Sequence, residues 1–60
     1  MGYTVYQNGR YRVVPLVVGY RVVRHDGKVI YPHYEPTEID MAVEDADELA
    51  IADGVYRAVA

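Results

Sequence analysis

Two dipeptides, Asn8-Gly9 and Asp26-Gly27, punctuate a first half built largely from valine, tyrosine and arginine. Each signals a hairpin: the tightest turns between antiparallel strands need φ > 0, which glycine, asparagine and aspartate tolerate best. The chain must therefore reverse at least twice before residue 34. A two-residue first loop pairs Gln7 with Arg10, Val5 with Arg12 and Tyr3 with Val14. It sets Thr4, Tyr6, Tyr11 and Val13 on one face and Tyr3, Val5, Arg10, Arg12 and Val14 on the other. The second turn pairs Val23 with Ile30, Val22 with Tyr31 and Tyr20 with His33. Between the turns, residues 16–18 read as further strand. Pro15 has no N–H for a ladder, and Gly19 marks a bulge or close approach. The reading is one long middle strand, bent at Pro15 and Gly19.

Beyond Pro32 and Pro36 the periodicity changes. Thr37 is an N-cap candidate, with Asp40 in the capping-box position. Ile39, Ala42, Val43, Ala46, Leu49 and Ala50 recur at helical spacing and form an apolar stripe. Gly54 fits the position just past a helix end. The expected helix covers about residues 38–53. Ile39, Met41 and Val43 also alternate as a strand would, so a break near Glu44 and Asp45 is the alternative. Residues 55–59 suit an edge strand or a last helical turn. The expected fold is α+β: an antiparallel three-stranded meander with a bent middle strand, then one acidic amphipathic helix packed on one sheet face.

Sixty residues make one domain. A chain of this size buries only about 60% of its unfolded surface, and its stability should be roughly 3–9 kcal/mol. With no cysteine there is no disulfide or thiolate metal site, and no apolar run nears the ~20 residues of a membrane helix. The expected setting is soluble and cytoplasmic. Serine is absent too, so Thr4 and Thr37 are the only hydroxyl nucleophiles apart from tyrosine. His25 and His33 have no partners at recognisable ligand spacing, and no catalytic residue, metal or cofactor is expected.

The charges divide along the chain. Arg10, Arg12, Arg21, Arg24 and Lys28 stand against Asp26 in residues 1–34; Arg57 stands against Glu35, Glu38, Asp40, Glu44, Asp45, Asp47, Glu48 and Asp53 in the rest, for a net charge of −3. On a helix, Asp40, Glu44, Asp47 and Glu48 lie away from the apolar stripe. Their like-charged i,i+3 and i,i+4 pairs each cost about 0.2–0.5 kcal/mol. A solvated face serves solubility equally well with mixed charge. Rows of carboxylates can also stand in for nucleic-acid phosphates and meet a basic partner quickly. The candidate partner-binding residues are therefore Asp40, Glu44, Asp45, Asp47 and Glu48.

Seven tyrosines without phenylalanine or tryptophan suggest either half-buried sheet positions or a contact surface. Arg10, Arg12, Arg21 and Arg24, interleaved with Tyr11 and its neighbours, form the alternative site, a sheet face for single-stranded nucleic acid. Against it, the net negative charge repels nucleic acid at a distance. The bland reading pairs these arginines with the chain's own acids or lays them over tyrosine rings.

In short length, lack of cysteine, two hairpins and the carboxylate run of residues 38–53, the chain resembles the small acidic inhibitors encoded by phages and mobile elements, anti-CRISPR proteins among them. That group shares no single fold. The resemblance implies stoichiometric, non-catalytic inhibition of a nucleic-acid-handling complex in an infected bacterial cell. An exposed sheet face would instead suit a structural or dimerisation module, so the expected state is monomer or homodimer.

Overall fold

A computed structural model describes residues 4–59, and the side chains of residues 4–54. Four strands, β1 (Tyr6–Asn8), β2 (Tyr11–Pro15), β3 (Tyr20–Arg24) and β4 (Val29–Tyr34), form one antiparallel sheet in chain order. A short 3-10 turn (Pro36–Glu38) leads into a single helix, α1 (Ile39–Val59), which packs across one sheet face. The fold is α+β, as expected, with four strands rather than three.

The extra strand comes from the expected bent middle strand. The chain does not bend at Pro15 and Gly19 but reverses between them, pairing Pro15 with Tyr20 and Val13 with Val22. Leu16 N–H closes the loop on the Gly19 carbonyl at 2.9 Å. Gly19 has φ +91°, and a Cβ there would lie 2.0 Å from the Tyr34 carbonyl oxygen. This glycine is thus required by both its conformation and its neighbour. Valine-rich sequence reads as strand, but Val17 stands fully exposed at the loop tip.

The two hairpins seen in the sequence form, with shifted registers. Asn8 pairs with Tyr11, so the loop residues are Gly9 and Arg10 rather than Asn8 and Gly9. Gly9 has φ +59° and, among the described residues, no other residue type has positive φ, which is the demand of a type II′ turn rather than type I′. Tyr6 now faces Val13 instead of Tyr11. Because each residue's partner moves by two positions, no side chain changes face. The expected pairing of Tyr3 with Val14 lies outside the described residues.

At the second hairpin, Gly27 N–H reaches the Arg24 carbonyl and Arg24 N–H the Lys28 carbonyl, both at 2.8 Å. That is a three-residue loop ending in Gly27 at φ +94°. Val22 pairs with Tyr31 as expected, but Val23 pairs with Val29 and Tyr20 with Tyr34. Two irregularities in β4 absorb the difference, and Pro32 stands in this edge strand, where a missing N–H is tolerated.

The helix begins earlier than Thr37 suggests. Glu38 Oε1 accepts the Glu35 N–H at 2.8 Å, and Glu38 N–H donates to the Glu35 carbonyl at 2.8 Å. Pro36, the first residue of this turn, has no N–H to satisfy and its φ suits a helix start. No break occurs at Glu44 and Asp45, and Gly54 does not stop the helix, which continues through residues 55–59. Gly54 lacks positive φ, so it is an interior helical glycine rather than a terminator.

The core is small. Val13 and Val22 are fully buried beneath Ala42 and Ala46, with Tyr11 and Tyr34 closing its sides and Tyr6, Tyr20, Ile30, Ile39, Val43, Leu49 and Ala50 around it. Alanines at the contact let the helix lie close to the sheet. A helix of 21 residues is about 31 Å long, whereas a five-residue strand spans about 17 Å. Ala50 passes within 3.6 Å of a Cβ placed on Gly9, at the turn that ends the sheet. The helix therefore runs past that edge.

Three substitutions test this account by chemical denaturation. Gly19→Ala should destabilise well beyond the roughly 1–2 kcal/mol of a left-handed conformation alone, because the Cβ meets backbone, whereas Gly27→Ala, with nothing within 4 Å, should lose only that amount. Gly54→Ala should stabilise by about 0.5–1 kcal/mol, since its Cβ also meets nothing and alanine favours the helix. A loss of stability in Gly54→Ala would mean the helix ends there.

Candidate functional surface

The surface is defined by what the packing does with each charge. Two tyrosine hydroxyls cross from sheet to helix. Tyr34 donates to Asp45 Oδ2 at 2.6 Å, and Tyr6 donates to Asp47 Oδ1 at 2.5 Å. Asn8 Nδ2 adds a second donor to Asp47 at 2.8 Å. Asp47 was expected on the outer side of the helix, but it lies at the edge of the stripe, where the hydroxyl-bearing rings of the sheet reach it. Asp45 is likewise half-buried. These two carboxylates are structural acceptors and leave the proposed partner-binding set.

The hydrogen bonds shift the titrations accordingly. Asp47 is held below its ordinary value, by the Tyr6 hydroxyl first and Asn8 second. Burial, followed by the bond to Asp45, holds the Tyr34 phenol above its ordinary value. Asp26 is also held low, by the Arg24 guanidinium and then by the Lys28 N–H.

Other acids are occupied as well. Asp26 takes two bonds from Arg24, at 3.0 and 2.6 Å. Asp53, close to the end of the stripe, accepts Arg10 Nε at 2.8 Å. Glu38 serves the helix start, and Glu35 stands 3.9 Å from His33. Asp40, Glu44 and Glu48 remain. All three are exposed, and among the described residues no cation or hydrogen-bond donor reaches their side chains. They succeed one another every four residues, a row with steps of about 6 Å along the outer ridge of α1. Exposed Met41 and Ile51 share that outer side. Sequence reasoning missed this apolar component because it assigned α1 a single apolar stripe.

The alternative, nucleic-acid site is divided by the sheet. Tyr6 and Tyr11 lie on the helix-covered face with Tyr20 and Tyr34, and Tyr31 meets Tyr34 edge to face at 6.1 Å. Arg10 stands 6.0 Å from the Tyr11 ring and pairs with Asp53, while Arg24 pairs with Asp26. The pleat sends Arg12 and Arg21 to the opposite, uncovered face. There Arg12 stands across from Val23 and Arg21 from Val14. Arg21 Nε donates to the Pro32 carbonyl at 3.0 Å, and Arg12 Nε is shielded from solvent with no acceptor. The five residues of this candidate set therefore do not form one surface.

Neither histidine stands in a cluster. His33 Nε2 lies 3.1 Å from the Val18 carbonyl oxygen and ties the β2–β3 loop to β4. Among the described residues no three His, Cys, Asp or Glu side chains converge as metal ligands, and no helix is long and apolar enough to cross a membrane.

Tyr34→Phe should lower stability by about 1–3 kcal/mol, because it leaves a half-buried carboxylate without its donor. Its pH signature has a definite sign. The raised phenol contributes fully below about pH 10, the ordinary tyrosine value, and that stability is lost as pH rises through the folded value. The phenylalanine variant should therefore lose part of the alkaline decline. At the acid end, the lowered Asp47 contributes above about pH 4 and loses its contribution as pH falls. Asp47→Asn should flatten that decline, leaving the part due to Asp26. Unfolding titrations between pH 2 and 11 read both slopes, and unchanged slopes would mean these bonds are not made in solution.

No protein-family model, curated protein or solved structure was found to match the chain.

Proposed function

We propose that this protein is a non-catalytic interaction protein whose acidic helix ridge docks on a basic surface of a nucleic-acid-handling partner, in the manner of the small phage-type inhibitors it resembles. One observation carries the reading. Asp26, Asp45, Asp47 and Asp53 each have a partner within the molecule, and Asp40, Glu44 and Glu48 have none among the described residues. Left unpaired, Asp40 with Glu44 and Glu44 with Glu48 repel at i,i+4, about 0.2–0.5 kcal/mol each. A marginally stable chain keeps such a row at a measurable loss. A basic partner relieves the repulsion and steers to it over a long range. Met41 and Ile51 on the same side supply apolar contact, which an all-charged ridge lacks.

The nucleic-acid reading of the sheet is less well supported. Base stacking needs exposed aromatic faces beside the cations. The uncovered face offers Arg12 and Arg21 with valines, and the tyrosines of the core lie on the other side.

The double variant Glu44→Lys with Glu48→Lys is the test. It removes like-charge contacts, so the melting temperature should hold or rise. Co-purification of the tagged protein from its source cells, with the captured partner then titrated as a pure protein, should show binding by the parent chain and at least a tenfold loss in the variant. Equal binding by the two folded proteins would refute ridge docking. In parallel, fluorescence anisotropy with single- and double-stranded oligonucleotides should show no binding by the parent chain. Salt-sensitive binding abolished by Arg12→Ala and Arg21→Ala would transfer the function to the uncovered sheet face.

A further inference from the structure

The face of the sheet opposite α1 carries two cross-strand rows. Gln7, Arg12, Val23 and Val29 make one, and Val14 and Arg21 belong to the other. Among the described residues no element covers this face. Val29 is exposed, yet Val23 is 8% exposed with no helix above it. Arg12, directly across from Val23, is placed to shield it with its aliphatic stem. The face is thus apolar with two arginines laid on it. Their positions are diagonal neighbours on adjacent strands, about 7–8 Å apart.

We propose that this face docks the outer ridge of α1 from a second copy of the chain, so that molecules associate head to tail, helix on sheet. The proposal rests on the reading of the ridge as a docking surface and names a basic counterpart within the same chain. Two properties match. Glu44 and Glu48 are about 6 Å apart along the helix, close to the spacing of the two arginine positions, so two carboxylates meet two guanidinium groups. Exposed Met41 and Ile51 beside the acids meet exposed Val29 in the row of Arg12.

Symmetric alternatives fail on charge. Back face on back face sets Arg12 and Arg21 against Arg12 and Arg21, and ridge on ridge sets acid against acid. Edge-to-edge extension of the sheet is also opposed, since β1 has three residues and β4 contains Pro32. Head-to-tail contact remains, and it closes into a ring or continues as an open chain of molecules. The uncovered face is roughly 17 Å along its strands and 15 Å across, smaller than the ~800 Å2 per partner of a standard stable interface. The association is therefore weak and appears at high protein concentration.

Sedimentation velocity of the intact chain over a concentration series is the experiment. At low salt the mean mass should rise continuously with concentration and fall back on adding salt, since exposed ion pairs are screened. Arg21→Glu makes the back face repel an acidic ridge, and Glu44→Lys with Glu48→Lys makes the ridge repel a basic back face. Each variant alone should be monomeric. Their mixture presents a less basic face to a basic ridge and an unaltered basic face to an acidic ridge, so mixing should restore association. Arg21 is chosen because Arg12 shields Val23. If Arg21→Glu unfolds by circular dichroism, the ridge variant alone decides, being monomeric if the proposal holds. A parent chain that stays monomeric at low salt, or a folded ridge variant that still associates, would overturn it. Loss of a foreign partner by that variant, with a monomeric parent, would retain ridge docking and reject only self-docking.

Discussion

The helix is held to the sheet by tyrosine. Val13 and Val22 meet Ala42 and Ala46 at the closest approach, where small side chains bring helix and sheet together. Tyrosine rings fill the flanks, and two hydroxyls then reach the helix at Asp45 and Asp47. At these two positions phenylalanine could not replace tyrosine without losing the bond. A core of two fully buried valines is too small to fix how a helix lies on it, because apolar contact is non-directional. A hydrogen bond to a carboxylate is directional and stronger than a neutral one. The pair of bonds, one from β1 and one from the end of β4, brackets the helix from both edges of the sheet.

That attachment also sorts the charges. By taking Asp45 and Asp47 inward it separates them from Asp40, Glu44 and Glu48, which look alike in sequence. Arg10 closes on Asp53 at the far end of the helix contact, and Arg24 on Asp26 within its own turn. What remains outside is one acidic ridge on the helix and one arginine-bearing face on the sheet. The two surfaces lie on opposite sides of a two-layer molecule. The function proposed here depends on that remainder, not on the total charge.

Much of the backbone was legible before any coordinates. Asn8-Gly9 and Asp26-Gly27 marked real reversals, and Gly9 and Gly27 have the positive φ that such turns demand. Val22 opposite Tyr31 was read correctly, as was the apolar stripe from Ile39 to Ala50. The face shared by Tyr6, Tyr11 and Val13 survived a wrong register, because a two-position shift of partner preserves strand alternation. The third reversal was missed. Leu16, Val17 and Val18 carry strand propensity, and only the close approach of Gly19 to Tyr34 reveals the turn. Gly54 misled in the opposite direction, since a glycine can stay inside a helix at a loss of about 1 kcal/mol.

By itself the sequence determined the local matters: where two of the reversals fall, that strands precede a helix, and which helix positions are apolar. These follow from backbone sterics and periodicity, which act over a few residues. Tertiary structure alone decided which carboxylates are used up. Asp45 and Asp47 have partners only because Tyr34 and Tyr6, 11 and 41 residues away, are brought beneath them. It likewise decided that the arginines and tyrosines, interleaved in sequence, end on different faces or in separate ion pairs. The reason is range: a charge is exposed or satisfied according to what stands opposite it in space, and spacing along the chain carries no record of that.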